Sequence, residues 1–365
     1  MVAFKDRILY FDELRALAII FILFWHTSNN FVTSPANWNV VISVLSLVIC
    51  GIPLFLMISG ALILNKKKYT LTEFFTKRFK RIFIPFIFWV VIFFILGLFV
   101  FSDAYGLSNY DTAASLSIPY LGSVFFSLSL FSKLFWFIWF IIGFYLIAPV
   151  LDSFIKDRGF EGLEYLLILI IICSIIPTLG WENAGISDRL KYFVPFIYTI
   201  SYPVLGYYLH NKEFNLSDKY LFLIGIVLTV VGYIFSFLTM HSLGAGDLSL
   251  NYLHFNHFAI LMEVTGIFLI FKYANVKMIS AKLKPLKETF LAKPIVSLSV
   301  CSFGIFFVHW PLLHYLISRK FFLQFAIGKA YIWIFVFGVI LVILSWIIVL
   351  IMSKIPILKW GSGVK

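Results

Sequence analysis

The sequence predicts an all-α, polytopic membrane protein with about ten transmembrane helices and both termini in the cytoplasm. Of its 365 residues, 62% are hydrophobic and only 13% are charged, which is too little polar surface for a soluble protein of this length. Apolar runs of roughly 20 residues recur along the whole chain. Lys and Arg gather in alternate loops. We therefore expect a single transmembrane domain over residues 1–365, with no separate soluble domain.

The apolar runs define the predicted spans in chain order. Each run is long enough to cross the hydrocarbon core of a bilayer as a helix. The ten predicted spans lie near residues 8–29, 40–64, 82–101, 134–151, 164–180, 191–209, 219–238, 256–272, 296–317 and 330–353.

The distribution of cations predicts the orientation of these spans. Loops 65–81 and 273–295 are rich in Lys and Arg, and the N-terminal segment carries Lys5 and Arg7. Cytoplasmic loops of membrane proteins carry an excess of Lys and Arg, so these segments are predicted to lie inside. The net charge of +12 is thus explained by topology and does not indicate a nucleic-acid partner. Three isolated cysteines in apolar runs show neither metal-ligand nor disulfide spacing and are expected to be buried.

The first span carries Asp12, Glu13, Arg15 and His26, all costly groups to place in lipid. Arg15 and His26 are separated by about three helical turns, so both side chains point to nearly the same side of the helix, roughly 16 Å apart along its axis. One alternative is that the charged residues only cap the cytoplasmic helix end and that His26 is a satisfied interhelical histidine. Because Arg15 and His26 point to the same side of the helix, we favour the interpretation that these residues belong to one shared site.

The third span begins with a basic run in which Arg78 and Arg81 share one helix face, flanked by Lys77 and Lys80. Paired guanidinium groups suit phosphate because each planar fork can bind two oxygens. The positive charge of this run is equally consistent with ordinary anchoring of the helix end next to anionic lipid headgroups.

Two further intramembrane residues are candidates for chemistry. Glu263 is a lone carboxylate in the eighth span, and such groups usually mark a functional position. His309 in the ninth span is expected roughly 20 Å above the inner face, at a depth similar to that of His26. Two imidazoles at matched depth are able to line one cavity. No residue set has the spacing of a metal site.

Five motifs, each in the expected order and on the expected span, resemble the integral-membrane acyltransferase 3 family. They are the Arg, ten residues, then His pattern at Arg15 and His26, the Arg-x-x-Arg pair with Pro85, and the segments GIPLFLMISG, WFI…IIGFYLIAPVL and SFGIFFVHWPL. The matches run from about residue 10 to 316. Ala61 and Phe306 depart from the family pattern, and neither is expected to touch a group proposed for the chemistry.

The resemblance implies a membrane O-acyltransferase of the cell membrane that O-acetylates or succinylates polysaccharides or lipid-linked glycans. It implies that acetyl-CoA or succinyl-CoA is the cytoplasmic acyl donor, with no tightly bound cofactor. Arg78 and Arg81, helped by Lys77 or Lys80, would bind the coenzyme phosphates. His26 would carry the acyl group or act as general base.

The remaining candidates have supporting roles in this interpretation. Arg15 would stabilise negative charge along the path or pair with Asp12, and His309 and Glu263 would orient His26 or the acceptor. The competing interpretation is a transporter or exporter of glycans or lipids, since intramembrane charges and a Pro-bearing helix fit that class too.

Overall fold

The computed structural model describes residues 7–31, 37–65, 69–99, 134–178, 194–243, 258–274, 290–318 and 330–364. Most of the predicted outer loops and of the basic loop 273–295 lie outside these residues. Within the described ranges the regular structure is helical throughout. The helices are α1 (Leu9–Asn29), α2 (Trp38–Val48), α3 (Gly51–Ile63), α4 (Leu71–Phe99), α5 (Trp136–Thr178), α6 (Val194–Asn211), α7 (Asp218–Leu243), α8 (Phe258–Tyr273), α9 (Ala292–Ser318), α10 (Ala330–Met352) and α11 (Lys359–Ser362).

Among the described residues, six helical stretches are long and apolar enough to cross a membrane: Trp38–Ile63, Leu71–Leu96, Trp136–Ile175, Asp218–Ser242, Ala292–Leu316 and Ala330–Met352. They support an all-α, multi-pass membrane protein. Every predicted span also overlaps a helix, but ten crossings and the cytoplasmic position of both termini stay predictions.

Three boundaries differ from the sequence prediction. The predicted span 40–64 is divided between α2 and α3, with the turn at Ile49 and Cys50. Helix α4 begins at Leu71, about three turns before the predicted residue 82. Its start is fixed by a capping box, in which the Glu73 N–H donates to Thr70 Oγ1 (3.2 Å) and the Thr70 N–H donates to Glu73 Oε2 (2.9 Å).

Helix α5 joins the predicted spans 134–151 and 164–180 into one helical stretch that breaks at Gly159. Gly159 has φ 59° and ψ −145°. Glycine tolerates this positive φ because it has no Cβ. The kink therefore separates two helical segments where the sequence prediction placed a loop.

The first helix lies at the centre of the bundle, in contact with α2, α3, α8, α9 and α10. Its apolar residues Leu14, Ala18, Ile22 and Leu23 are buried and join the main hydrophobic core. A helix that is apolar on several faces and carries a few polar groups is expected where neighbours surround it on all sides. The charged and polar groups of α1 therefore face other helices.

Close approach of α3 and α6 depends on two glycines. A Cβ at Gly60 would overlap the backbone of Pro203, and a Cβ at Gly206 would overlap the backbone of Met57. Small residues allow helix backbones to pack this closely in membranes. Close packing of α3 on α6 therefore explains why the GIPLFLMISG segment ends in glycine, at Gly60.

A short C-terminal segment returns to the bundle after α10. The indole N–H of Trp89, on α4, donates a 2.8 Å hydrogen bond to the carbonyl oxygen of Gly361 in α11. Ser362 is fully buried, and α11 also contacts α9 and α10. The segment thus fills the space between α4 and α9.

Candidate active site

Asp12 at the start of α1 is 2% exposed and accepts three hydrogen bonds from two residues. Arg7 donates from Nε to Oδ2 (2.8 Å) and from a terminal nitrogen to Oδ1 (2.5 Å), and the Ser299 hydroxyl donates to Oδ1 (2.6 Å). The hydrogen bond from Arg7 to Asp12 raises the pKa of the Arg7 guanidinium. Because Ser299 belongs to α9, Asp12 ties the N-terminal segment and α1 to α9.

Arg15 is a more distant partner of this carboxylate. Its closest nitrogen lies 3.9 Å from Asp12 Oδ1, and its side chain is 26% exposed. Arg15 instead lies within electrostatic range of Arg81 from α4 and Tyr145 from α5. Tyr145 also interacts with Arg78.

Three arginines from two helices thus lie within electrostatic range of one tyrosine, at the end of the bundle where α1 and α4 begin. We call Arg15, Arg78, Arg81 and Tyr145 the arginine cluster. Lys77 and Lys80 are exposed on α4 beside it. Within the described part of the chain, Arg78 and Arg81 have no carboxylate partner at ion-pair distance. Two guanidinium groups without a carboxylate partner, with further cations beside them, suit a multiply charged phosphate ligand.

The segment before α4 is fixed to α5 through Asp152, which is buried. The Tyr69 hydroxyl and the Asn65 backbone N–H (2.7 Å) both donate to its carboxylate. Burial, and then the hydrogen bond to Asp152, raise the pKa of Tyr69. The Tyr69 ring stacks on Phe74, whose ring lies 5.9 Å from the Arg78 guanidinium carbon. These contacts hold the first turns of α4, and with them Arg78, against α5.

The second polar cluster lies near the other end of α1; we call His26, His309, His314 and Trp310 the histidine cluster. The imidazole centroids of His26 and His309 are 5.3 Å apart, and their planes are inclined by 32°. Trp310 meets His26 edge-on at 4.9 Å and His314 edge-on at 4.5 Å. The structure therefore brings together the two histidines that the sequence placed at matched depth, with Trp310 between His26 and His314.

His309 is fully buried, and its hydrogen bonding defines the tautomer. Its Nδ1 lies 3.1 Å from the carbonyl oxygen of Ile305. A carbonyl only accepts, so Nδ1 carries the proton and Nε2 of the neutral ring presents a lone pair. Within the described residues Nε2 has no hydrogen-bond partner. His26 is half-buried, so it is the more accessible imidazole of the pair.

The two clusters share α1, which is continuous from Leu9 to Asn29. Arg15 contributes to the arginine cluster and His26 to the histidine cluster. The eleven steps along the helix from Arg15 to His26 correspond to a rise of about 16 Å. A molecule with phosphates at one end and a reactive group at the other is the kind of ligand that spans such a pair of sites.

Glu263 is fully buried in α8, apart from both clusters. Its backbone packs on Gly232 of α7, and its carboxyl interacts with the thiol of Cys50. Neither carboxyl oxygen has a hydrogen-bond partner of normal geometry in the described part of the chain, so no hydrogen bond links Glu263 to His26 or His309. These contacts therefore do not support a direct role for Glu263 beside His26.

Sequence reasoning missed several members of the two clusters. Tyr145 and Trp310 lie inside motifs that carry the family resemblance. As aromatic residues in apolar spans, however, they did not stand out as candidates for a functional site. The Ser299 and Arg7 contacts to Asp12 had no sequence signal. The expectation that Phe306 touches no chemical group was wrong, because its ring centroid lies 6.1 Å from that of His309. All three cysteines are buried as expected.

Comparison with known proteins identifies the family. A family model described as "Acyltransferase domain", that of the acyltransferase 3 family, matches residues 8–351. No curated protein and no solved structure matches this chain. Since the match covers nearly all of the helices that form both clusters, this chain belongs to the acyltransferase 3 family, a family of membrane acyltransferases.

Proposed function

We propose that this protein is an O-acyltransferase, most simply an O-acetyltransferase, of the cell membrane. It would move an acyl group from cytoplasmic acetyl-CoA or succinyl-CoA to a hydroxyl of a cell-surface or lipid-linked glycan. The observation that carries the proposal is that one helix, α1, contributes Arg15 to the arginine cluster and His26 to the His26–His309 pair. The glycan acceptor rests on the resemblance to the family.

The arginine cluster is the proposed binding site for the coenzyme phosphates. Arg78 and Arg81 supply two bidentate guanidinium forks, and exposed Lys77 and Lys80 supply point charges. Because Asp12 is satisfied by Arg7 and Ser299, Arg15 keeps positive charge available to the ligand. We therefore assign Arg15 to donor binding and Asp12 to holding α1 in place.

The thioester would reach His26 along the side of α1 that carries Arg15. In a covalent route, a nitrogen of His26 attacks the thioester carbon, the C–S bond breaks, and the departing thiolate takes the proton that the imidazole loses. The acceptor hydroxyl then attacks the acyl-imidazole and gives its proton to the departing nitrogen. Atoms and charge balance in both steps.

In a direct route, the acceptor oxygen attacks the thioester itself. His26 takes the hydroxyl proton as general base and passes it to the departing thiolate. In either route the lone pair on His309 Nε2 is able to accept a hydrogen bond from His26 or from the acceptor hydroxyl. His309 is thus proposed as a positioning residue.

Release of coenzyme A thiol from acetyl-CoA by the purified protein tests the function. Thiol release that depends on a glycan acceptor, with the acyl group recovered as an ester on that glycan, is the expected result. A transporter would release no thiol with any acceptor. In a single-turnover experiment without acceptor, the covalent route releases a stoichiometric amount of thiol, whereas the direct route releases none.

A further inference from the structure

The start of α4 is fixed by two local contacts within the sequence YTLTEF. Thr70 and Glu73 form the capping box, so Tyr69 precedes the N-cap and Phe74 is the fourth residue of the helix. The rings of Tyr69 and Phe74 stack, with centroids 4.8 Å apart and an interplanar angle of 24°. Such a hydrophobic staple sets the angle at which the chain enters a helix. The capping box and the staple together therefore fix the direction of the first turn of α4.

Tyr69 also joins this first turn to α5. Its hydroxyl donates to one oxygen of the buried Asp152 carboxylate, and the Asn65 backbone N–H donates to the other oxygen (2.7 Å). Hydrogen bonds to a carboxylate are stronger than those between neutral groups. Tyr69 is thus held through its ring by Phe74 and through its hydroxyl by Asp152.

Arg78 lies next to both parts of this arrangement. Its guanidinium carbon is 5.9 Å from the centroid of the Phe74 ring, which lies one turn earlier on α4. The Tyr69 hydroxyl is also within electrostatic range of Arg78. The Phe74 ring meets the Tyr145 ring edge-on at 6.4 Å. Phe74 therefore contacts two members of the arginine cluster, and its own position depends on Tyr69.

We propose that Tyr69 is a positioning residue for the acyl donor, and that Asp152 holds it in place. The stacking on Phe74 and the hydrogen bond to α5 keep the Arg78 guanidinium where it binds the coenzyme phosphates. This role rests on the proposed function, because it requires that Arg78 binds those phosphates. Tyr69 acts on the donor only through Arg78, so the effect of changing Tyr69 depends on the presence of that guanidinium.

The test measures acetyl-CoA binding to the full chain in detergent by calorimetry. Tyr69→Phe keeps the ring and removes only the hydroxyl, and Asp152→Asn replaces the charged acceptor by a neutral one of the same shape. Tyr208→Phe is the matched control. The Tyr208 hydroxyl also donates to a carboxylate of α5, that of Glu164 (3.0 Å), and Tyr208 is not a member of the arginine cluster. Tyr69→Phe is measured in the wild type and again in an Arg78→Ala background.

We expect Tyr69→Phe to raise the dissociation constant for acetyl-CoA about fivefold, the factor that corresponds to one net hydrogen bond. Asp152→Asn should raise it too, and Tyr208→Phe should leave it unchanged. In the Arg78→Ala background Tyr69→Phe should have no further effect, because no guanidinium remains to be positioned. A general loss of structure would instead weaken binding by the same factor in both backgrounds.

An unchanged dissociation constant in Tyr69→Phe or in Asp152→Asn would overturn the role of Tyr69. An equal loss of affinity in the Arg78→Ala background, or in Tyr208→Phe, would overturn it as well. Weaker binding by Arg78→Ala together with normal binding by Tyr69→Phe would overturn this role alone and leave the proposed donor site in place. If the wild type binds no acetyl-CoA, or if Arg78→Ala binds it as tightly as the wild type, the proposed donor site is wrong and the role of Tyr69 is overturned with it.

Discussion

The imidazole rings of His26 on α1 and His309 on α9 face each other with centroids 5.3 Å apart, although 283 positions separate them in the chain (309 − 26). The same two helices are joined at their other ends by the hydrogen bond from Ser299 to Asp12. The ring contact and the Ser299–Asp12 hydrogen bond thus fix how α1 and α9 pack, and with it the relative depth and orientation of the two histidines.

His26→Ala is expected to abolish acyl transfer while expression and membrane insertion stay normal. Removing a nucleophile or general base lowers the rate by at least about a hundredfold. Thiol release and ester formation measure the loss. His241→Ala is the matched control, because His241 is exposed near the end of α7. Full activity in His26→Ala would remove this residue from the mechanism.

His309→Ala is expected to lower kcat and to leave the KM for acyl-CoA near its wild-type value. The reason is that His309 contacts His26 and lies on another helix than the arginine cluster. His309→Gln keeps an acceptor in the side chain and should recover part of the rate. If the KM for acyl-CoA rises in both variants with kcat unchanged, His309 belongs to donor binding and is not a positioning residue for His26.

The double change Arg78→Lys plus Arg81→Lys separates phosphate binding from membrane anchoring. Lysine keeps the charge and the topology but loses the bidentate fork. Each lost charge-assisted hydrogen bond costs roughly 1.5–3 kcal/mol, so the dissociation constant for acyl-CoA should rise tenfold or more. Calorimetry on the solubilised protein measures it.

Arg158→Lys serves as the control for that change, since Arg158 is exposed and, among the described residues, forms its ion pair with the adjacent Asp157 at 3.0 Å. Its acyl-CoA affinity should equal that of the wild type. Equal affinity in the double variant as well would leave Arg78 and Arg81 as topology anchors, and the coenzyme site would then be sought first among Lys282, Lys284 and Lys287.

Asp12→Asn should destabilise the protein, because Asp12 holds α1 in place. It removes the anion that faces Arg7 and Arg15 and weakens the link from α1 to Ser299. We expect a loss on the order of 2 kcal/mol, less than for a fully buried pair because Arg7 is 28% exposed. Thermal unfolding in detergent measures it. Glu164→Gln, which breaks the more exposed pair with Lys212, should leave the midpoint nearly unchanged.

The predicted orientation is tested by cysteine labelling in intact cells. Ser108→Cys in loop 102–133 should react with a membrane-impermeant thiol reagent from outside, and Lys359→Cys should react only after permeabilisation. The native Cys50, Cys173 and Cys301 are buried and should give little background. Reaction of Ser108→Cys only from the inside would overturn the ten-span topology.

The sequence predicted the helical, multi-pass class and the matched depth of His26 and His309, because hydropathy and the rise of a helix determine both. It did not predict the true start of α4, although Thr70 and Glu73 form a capping box that was legible in the sequence. It also did not predict that Arg15 joins Arg81 and Tyr145, or that Asp12 binds Ser299. Those contacts depend on which helices are neighbours, and helix periodicity within a single span carries no information about that.

The packing of α11 against α4 and α9 affects the order in which the fold is completed during synthesis. Trp89 of α4 donates a hydrogen bond to Gly361, and Ser362 is buried beside α9, so residues of α11 complete the packing between these helices. A ribosome makes α11 only after it has made α1 to α10. The helix with the Arg78–Arg81 pair therefore gains its hydrogen bond to α11 later than its contacts with the helices that precede α11.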